Sequence, residues 1–411
     1  MQLINKKNFY LHLLLFFAFL IRLIAVYYYG DSKIEYEWAV LLDHLYEQNI
    51  LAFYSFDGVL IPSVFMPPLY VYFLYLIKMF TPEGILLTNV VLYVQVILST
   101  IGILLFFKIN KLFFSKNWSI FNSFILSIFP LNVYTVTQIS SITLQIFLLI
   151  FFLYLFILVS RKKNFDNTNF IYLSLIAGLL MLLRGEFYFI FLLSLVYLFI
   201  FQKIDLKRIL IIFLISLLVI SPYIIRNYVN FERIVLTNSL GFNLWKGNNP
   251  FSKVEGSESE KAYTHNNIDE KIKKLEKNHL YEFYLDELYF NEGISYIKEE
   301  PIIFIKRYIA KFLSFFYFNI NSEYPNYYHP LFIAPIFLVG LFSTMGIFLS
   351  LRNFNYEKSY LLLYLFLTIS IFSIFFILPR YKMMILPIQL IFMNYFFVEY
   401  FKGKDFFKKY K

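Results

Sequence analysis

Long apolar runs recur along this chain, and they constrain its fold more than any other feature. The first, "LHLLLFFAFLIRLIAVYYY", covers residues 11 to 29, with Arg22 as its one charge. A bilayer's hydrocarbon core takes about 20 helical residues to cross. Lipid offers the backbone no hydrogen-bond partner, so such a run must be helical. Similar runs lie at 84–107, 117–136, 141–160, 169–184, 186–202, 208–226, 330–350, 358–378 and 383–402, which with 9–29 gives ten expected spans. Composition agrees: 59% of the 411 residues are hydrophobic and 16% are charged, against about a quarter charged in soluble domains. The expected fold class is therefore an all-α polytopic membrane protein. Cysteine is absent, which excludes disulfides and thiolate chemistry.

Orientation follows from the basic loops. "KINKLFFSK", "SRKKN", "QKIDLKR", "LRNFNYEK" and the tail "KGKDFFKKYK" fall on the side of the N-terminus when ten spans are counted. The positive-inside rule makes that side cytoplasmic. Lys6 and Lys7 precede the first run and no small-residue cleavage site follows it, so it reads as a retained signal anchor. The run "MPPLYVYFLYLIKMF" at 66–80 is short for a span and would invert every later loop if counted. It is read as re-entrant or interfacial. Three regions result: an N-terminal membrane module over 1–226 with its first outer loop at 30–83, an outer segment over 227–329, and C-terminal spans over 330–411. The first part of that loop, 30–66, carries six acids: Asp31, Glu35, Glu37, Asp43, Glu47 and Asp57. In the outer segment Tyr281, Tyr284, Leu285, Leu288 and Tyr289 recur at helical spacing, which predicts an amphipathic helix lying on the membrane or on the first loop. Residues 302–320 read as an interfacial helix rather than a span.

Three arginines stand at outer ends of spans: Arg184 in "LLRGEF", Arg226 in "SPYIIRNY" and Arg380 in "LPRYKM". A guanidinium at that level matches a lipid phosphate bidentately. Ordinary snorkelling to headgroups is the competing explanation for any one of them. Glu186 adds an acid at the same level, either as a salt-bridge partner for Arg184 or as a substrate contact. Arg22 lies within the first span, where packing or pairing with a distant acid accounts for it.

The segment "SPYIIRNYVNFERIVLTNSLGFNLWKGNNP" resembles bacterial dolichyl-phosphate-mannose-protein mannosyltransferase-like enzymes of the GT-C class (family 39-like, RgtABCD-like or ArnT-like). The matching residues are Pro222, Tyr223, Arg226, Asn227, Asn243, Leu244, Trp245, Gly247, Asn248, Asn249 and Pro250. "MPPLYVYFLYLI", "ISYIKEEPIIFIKRYIAKFLSFF" and "PRYKMMILP" are similar to further segments of that family. Asp31, Glu35 and Ala39 fit its first-loop pattern, with Glu35 in place of the usual Tyr. The resemblance implies a GT-C fold with about ten transmembrane helices, juxtamembrane helices in the first loop and a small outward α-rich domain. It implies a polyprenyl-phosphate-linked sugar as donor, used on the outer face of the cytoplasmic membrane. Asp31 is then expected as the base that takes the acceptor's hydroxyl proton, with N-capping of a helix as its structural alternative. Arg226 and Arg380 are expected on the donor phosphate, with Glu35, Arg184 and Glu186 orienting. Asn227, Tyr381, Trp245 and Asn248 are expected to support the site.

Other chemistries find little in the chain. Its histidines are scattered, so no metal site is expected; a divalent cation would depend on the first-loop carboxylates. No nucleotide-binding glycine fingerprint occurs. The net charge of +10 reports topology rather than nucleic-acid binding. The expected partners are the lipid donor, a lipid, glycan or protein acceptor, and membrane lipids. A polymerase or ligase using a diphosphate-linked donor, and a non-enzymatic lipid or sugar transporter, are the alternatives. A transporter would be expected to show repeats and broken helices near mid-membrane.

Overall fold

The computed structural model describes residues 9–82, 84–161, 167–256, 259–317, 329–353 and 355–401. The chain begins with α1 (Phe9–Tyr29), then α2 (Tyr36–Gln48), a hairpin of β1 (Ala52–Phe56) and β2 (Val59–Pro62), and α3 (Pro68–Phe80). A membrane-level series follows: α4 (Leu87–Phe113), α5 (Lys116–Ile128), α6 (Pro130–Thr137), α7 (Ile142–Arg161), α8 (Asn167–Leu183), α9 (Phe187–Ile200) and α10 (Leu206–Phe231). Residues 227–329 supply α11 (Leu240–Gly247), α12 (Glu260–Thr264), α13 (Ile268–Lys273), α14 (Tyr281–Glu299) and α15 (Pro301–Phe316). The chain returns through α16 (Pro330–Ser350), α17 (Tyr356–Ile374) and α18 (Leu386–Phe401).

Each of the ten expected spans is helical, and the chain is a multi-pass membrane protein. Six helices, α1, α4, α7, α10, α16 and α17, are long and apolar enough to cross a bilayer. The expected span at 117–136 is broken: α5 and α6 meet at a bend of 50°. Pro130 explains it, because proline pushes the preceding residue out of the helical region, and Phe129 has an extended ψ of 117°. Helices α8, α9 and α18 are apolar but shorter. At 14 residues, α9 is roughly 21 Å long, short of a core of about 30 Å. Helix α3, with 13 residues, also falls short of a span and packs on α2, α4 and α8. The stretches carrying Lys6, Lys7, Lys162, Lys163 and the basic tail from 402 lie outside the described residues, as does 318–328.

Arg22 is fully buried at membrane depth, and its partners are neutral. Its Nε donates to Ser99 Oγ at 2.7 Å, and its Nη1 to the carbonyls of Ala18 and Ser127, both at 3.0 Å. Packing, not a distant acid, accounts for it.

The first loop departs from an all-α reading. "FYSFDGVLIP" forms a two-residue hairpin in which Asp57 and Gly58 have φ of 50° and 79°. Positive φ at both central residues is the type I′ turn, for which Asp-Gly is a preferred pair. This hairpin receives the outer domain. Tyr281 of α14 meets Tyr54 and Phe56 edge-on at 5.1 and 4.9 Å. The amphipathic helix predicted around Tyr281–Tyr289 thus lies on the first loop. It also packs on α11, where Gly241 brings the backbones so close that a Cβ would stand 2.0 Å from the Asp286 carbonyl oxygen.

Candidate functional site

A cavity of about 1030 Å³ lies between the helix bundle, the first loop and the segment over 227–329. Its membrane side is apolar, with Phe189 of α9 and Leu217, Ile220 and Ile224 of α10. Arg184, Glu186, Arg380 and Tyr381 line it as well, together with residues of the first loop and α14.

The α8–α9 turn sets Arg184 and Glu186. Helix α8 ends at Leu183, and Gly185 lets Thr237 pack closely on the turn: a Cβ there would meet Thr237 Oγ1 at 2.7 Å. Glu186 Oε1 stands 3.3 Å from Arg184 Nε. The Arg184 guanidinium lies over the rings of Tyr381 and Phe372, at 4.9 and 5.6 Å. Tyr381 follows Arg380 in a 3-10 turn over Pro379–Met384. Arg184 and Arg380 are therefore joined through Tyr381, although 196 positions apart in the chain. Arg184 Nη2 and Arg380 Nε are buried without a hydrogen-bond partner. Buried donors left unsatisfied are costly, so this cluster can take an acceptor group, and two guanidinium ions suit an anionic one.

Arg226 does not join them. Its Nη1 donates to the Ser63 carbonyl at 2.7 Å and to Asn227 Oδ1 at 2.8 Å, and its Nη2 to the Leu51 carbonyl at 3.0 Å. It does not line the cavity. It braces the base of the hairpin against α10, and Asn227 Nδ2 extends the brace to the Val235 carbonyl at 2.8 Å.

The asparagine-rich segment is likewise an anchor in this structure. Trp245 is buried against Tyr289 and Tyr263, at 4.8 and 5.1 Å between ring centroids. Asn248 Nδ2 donates to the carbonyls of Leu244 and Ile374, each at 2.8 Å. Phe376 N–H donates to the Asn243 carbonyl at 3.1 Å. At Gly247 a Cβ would stand 2.5 Å from the Phe375 backbone. Lys311 of α15 donates to the Gly247 and Phe375 carbonyls at 3.0 and 2.8 Å. The contacts of Asn243, Gly247, Asn248 and Lys311 hold residues 374–376, which lead to Arg380.

The first-loop acids separate. Asp31 is half-buried just after α1. Its Oδ2 accepts the Ile139 N–H at 2.7 Å, and its own N–H donates to the Thr137 carbonyl at 3.0 Å. It does not cap α2; Glu35 holds that position without a side-chain cap bond. Asp31 does not itself line the cavity, but Ser140 and Ser141, which follow its partner Ile139, do. Burial pushes the Asp31 carboxyl up, Glu35's charge adds to this, and the Ile139 N–H opposes it. Glu35 is exposed, paired with Lys33 at 2.8 Å, and outside the cavity. Glu37, in the first turn of α2, lines the cavity. Nothing in the sequence singled it out from the other five loop acids.

The roof of the cavity includes Phe65, Phe242, Tyr289, Glu282, Asp286 and Lys246, none of which the sequence pattern marked as a site residue. Glu282 Oε2 accepts the Val64 N–H at 2.8 Å, and Asp286 Oδ1 the Phe242 N–H at 2.9 Å. Burial raises both carboxyls above their ordinary range. Among the described residues no three His, Asp or Glu side chains converge to hold a metal ion.

No protein-family model and no curated protein sequence matches the chain. Solved structures do. One is the archaeal oligosaccharyltransferase AglB from Archaeoglobus fulgidus in complex with an inhibitory peptide and a dolichol-phosphate: TM-score 0.58, 14% identity, 97% of this chain and 51% of that one. A second is the Archaeoglobus fulgidus oligosaccharyltransferase tethered with an acceptor peptide containing the NVT sequon: TM-score 0.59, 14% identity, 97% and 50%. A third, ArnT from Cupriavidus metallidurans bound to undecaprenyl phosphate, has TM-score 0.45 and 9% identity over 97% and 79%. The chain spans about half the length of the oligosaccharyltransferase chains. At such identity the likeness is one of architecture: this chain has a GT-C-like fold.

Proposed function

We propose that the protein is a membrane glycosyltransferase that takes a sugar from a polyprenyl-phosphate donor to an acceptor hydroxyl, on the outer face of the cytoplasmic membrane. The observation that carries this reading is the pair of buried, unpartnered guanidinium nitrogens on Arg184 and Arg380 in residues that line the same cavity as the apolar side chains of α9 and α10. An anionic headgroup on an apolar tail satisfies both at once. The dolichol-phosphate held by the AglB structure supports the same ligand class.

In this reading the acceptor oxygen bonds to the anomeric carbon as the bond from that carbon to the phosphate oxygen breaks. The electron pair leaves with the phosphate, where Arg184 and Arg380 stabilise the growing charge. Tyr381 and Glu186 hold Arg184 in place. The hydroxyl proton passes to a carboxylate. Asp31 fits that role because burial and Glu35 raise its proton affinity, and it sits behind the cavity-lining turn at Ser140. Glu37 is a second candidate, because it is the first-loop acid that lines the cavity itself. Arg226 acts as a brace, and the 243–250 segment as the anchor of the Arg380 turn.

The test is undecaprenyl phosphate binding to the protein in nanodiscs, followed by native mass spectrometry. A charge-assisted hydrogen bond is worth about 1.5–3 kcal/mol, so Arg184→Ala and Arg380→Ala should each weaken binding roughly 10- to 100-fold. Lysine at either position should restore part of it. Folded alanine variants that bind as tightly as the parent would sink the proposal. Turnover of Asp31→Asn against Glu37→Gln then identifies the base: the variant that keeps donor binding and loses about 10²–10⁴ in rate marks it.

A further inference from the structure

We infer that the outward half of the cavity is a carbohydrate subsite, and that the acceptor presents a sugar ring there. The inference rests on the glycosyltransferase reading for its purpose, but on separate residues for its chemistry. A sugar has apolar C–H faces and a rim of hydroxyl donors, so its binding site needs aromatic faces flanked by acceptors. The roof supplies both. Phe65 of the first loop and Phe242 of α11 meet edge-on at 5.5 Å, and Phe242 meets Tyr289 of α14 at 5.3 Å. The three rings form one wall across the join between first loop and outer domain. Phe65 and Phe242 are half-buried, which leaves ring surface turned to the cavity they line.

The acceptors stand beside that wall. Glu282 is 4% exposed; its Oε2 is taken by Val64 N–H, while Oε1 is buried with no partner. Asp286 spends Oδ1 on the Phe242 N–H. Both side chains line the cavity. A buried carboxylate oxygen calls for a donor, and a hydroxyl supplies one without adding charge. A lipid chain in this place would leave Glu282 unsatisfied at a cost. Lys246, 5.1 Å over the Phe242 ring, keeps the roof from being purely acidic, which argues against a polycationic peptide. The donor cluster at Arg184 and Arg380 has the opposite character, so the two halves of the cavity sort the anionic lipid from the neutral, hydroxyl-rich ring.

The experiment is saturation-transfer NMR on the full chain in nanodiscs with a mixture of maltotriose, mannotriose, chitotriose and trigalacturonic acid. At least one trisaccharide should receive saturation, strongest on ring C–H protons. Phe242→Ala should abolish it, and Glu282→Gln should weaken it at least threefold. Phe242→Leu keeps apolar bulk, guards against misfolding, and should still lose most of the signal. Undecaprenyl phosphate binding should be unchanged in all three variants. If no trisaccharide is saturated while undecaprenyl phosphate still binds, the subsite is wrong and the donor reading stands. Saturation that survives Phe242→Leu and Phe242→Ala also overturns the subsite, as does preferential binding of a Lys-rich peptide. Loss of undecaprenyl phosphate binding by the parent protein is the distinct result that overturns the donor reading.

Discussion

Removing Lys382 should unfold the region that carries Arg380 more severely than removing Lys382 and Glu255 together. Lys382 lies two residues beyond Arg380, and its Nζ donates to Glu255 Oε1 at 2.6 Å and to the Ser314 carbonyl at 2.5 Å. The side chains are 7% and 1% exposed, so this ion pair is withdrawn from water. Breaking a buried pair by deleting one partner costs about 3–5 kcal/mol, because it strands the other charge. Glu255 is poorly placed to compensate, since its Oε2 already has no partner. Lys382→Met should therefore lose about 3–5 kcal/mol, whereas Lys382→Met with Glu255→Leu removes both charges and should be roughly neutral by the same reasoning. The assay is thermal unfolding in one detergent at one scan rate, followed by tryptophan fluorescence, with undecaprenyl phosphate affinity read alongside. Lys382→Met should show the lower unfolding temperature and weaker lipid binding, and the double variant should recover most of both. A single variant that unfolds with the parent, or a double variant no better than the single, would refute the claim that the pair secures the Arg380 turn.

The chain lacks cysteine, so single cysteines report topology cleanly. Cysteine at Lys277 should react with an impermeant thiol reagent in intact cells and cysteine at Lys207 should not; the reverse pattern would invert the proposed orientation. If Asp31 is the base, it must be unprotonated to act, so its raised proton affinity places the acid limb of kcat/KM above the ordinary carboxylate range. Glu35→Gln removes the repulsion that contributes to the shift and should move that limb to lower pH; an unmoved limb would detach Glu35 from Asp31. Arg226→Ala loses three hydrogen bonds and should lower the unfolding temperature while leaving undecaprenyl phosphate affinity in the folded fraction within about twofold, a margin of less than 1 kcal/mol; a tenfold loss would return Arg226 to the phosphate site.

The membrane architecture was legible in the sequence because lipid is an unforgiving solvent. Every backbone group in hydrocarbon must bond within its own segment, so hydropathy by itself locates helices, and it located all ten runs that prove helical. Local chemistry carried more than was read from it. Asp57-Gly58 between two β-prone stretches marks the hairpin, and Pro130 marks the break between α5 and α6.

What the sequence could not decide was which polar side chains remain available once the chain is folded. Arg184, Arg226 and Arg380 look alike along the chain, each an arginine at the outer end of an apolar run. Carbonyls of Leu51 and Ser63, 175 and 163 positions away, occupy Arg226. A ring contact with Tyr381 instead joins Arg184 to the Arg380 turn. The Asn-Leu-Trp segment was the most specific motif, yet Asn248 and Asn249 spend their Nδ2 groups on backbone carbonyls, of Ile374 at the end of α17 and of Trp245 within the segment. Apolar burial is set by composition over a short window and can be read locally. Hydrogen-bond satisfaction depends on partners brought together from distant parts of the chain, so the availability of Arg184, Arg380, Glu37 and Glu282 was decided only by the tertiary structure.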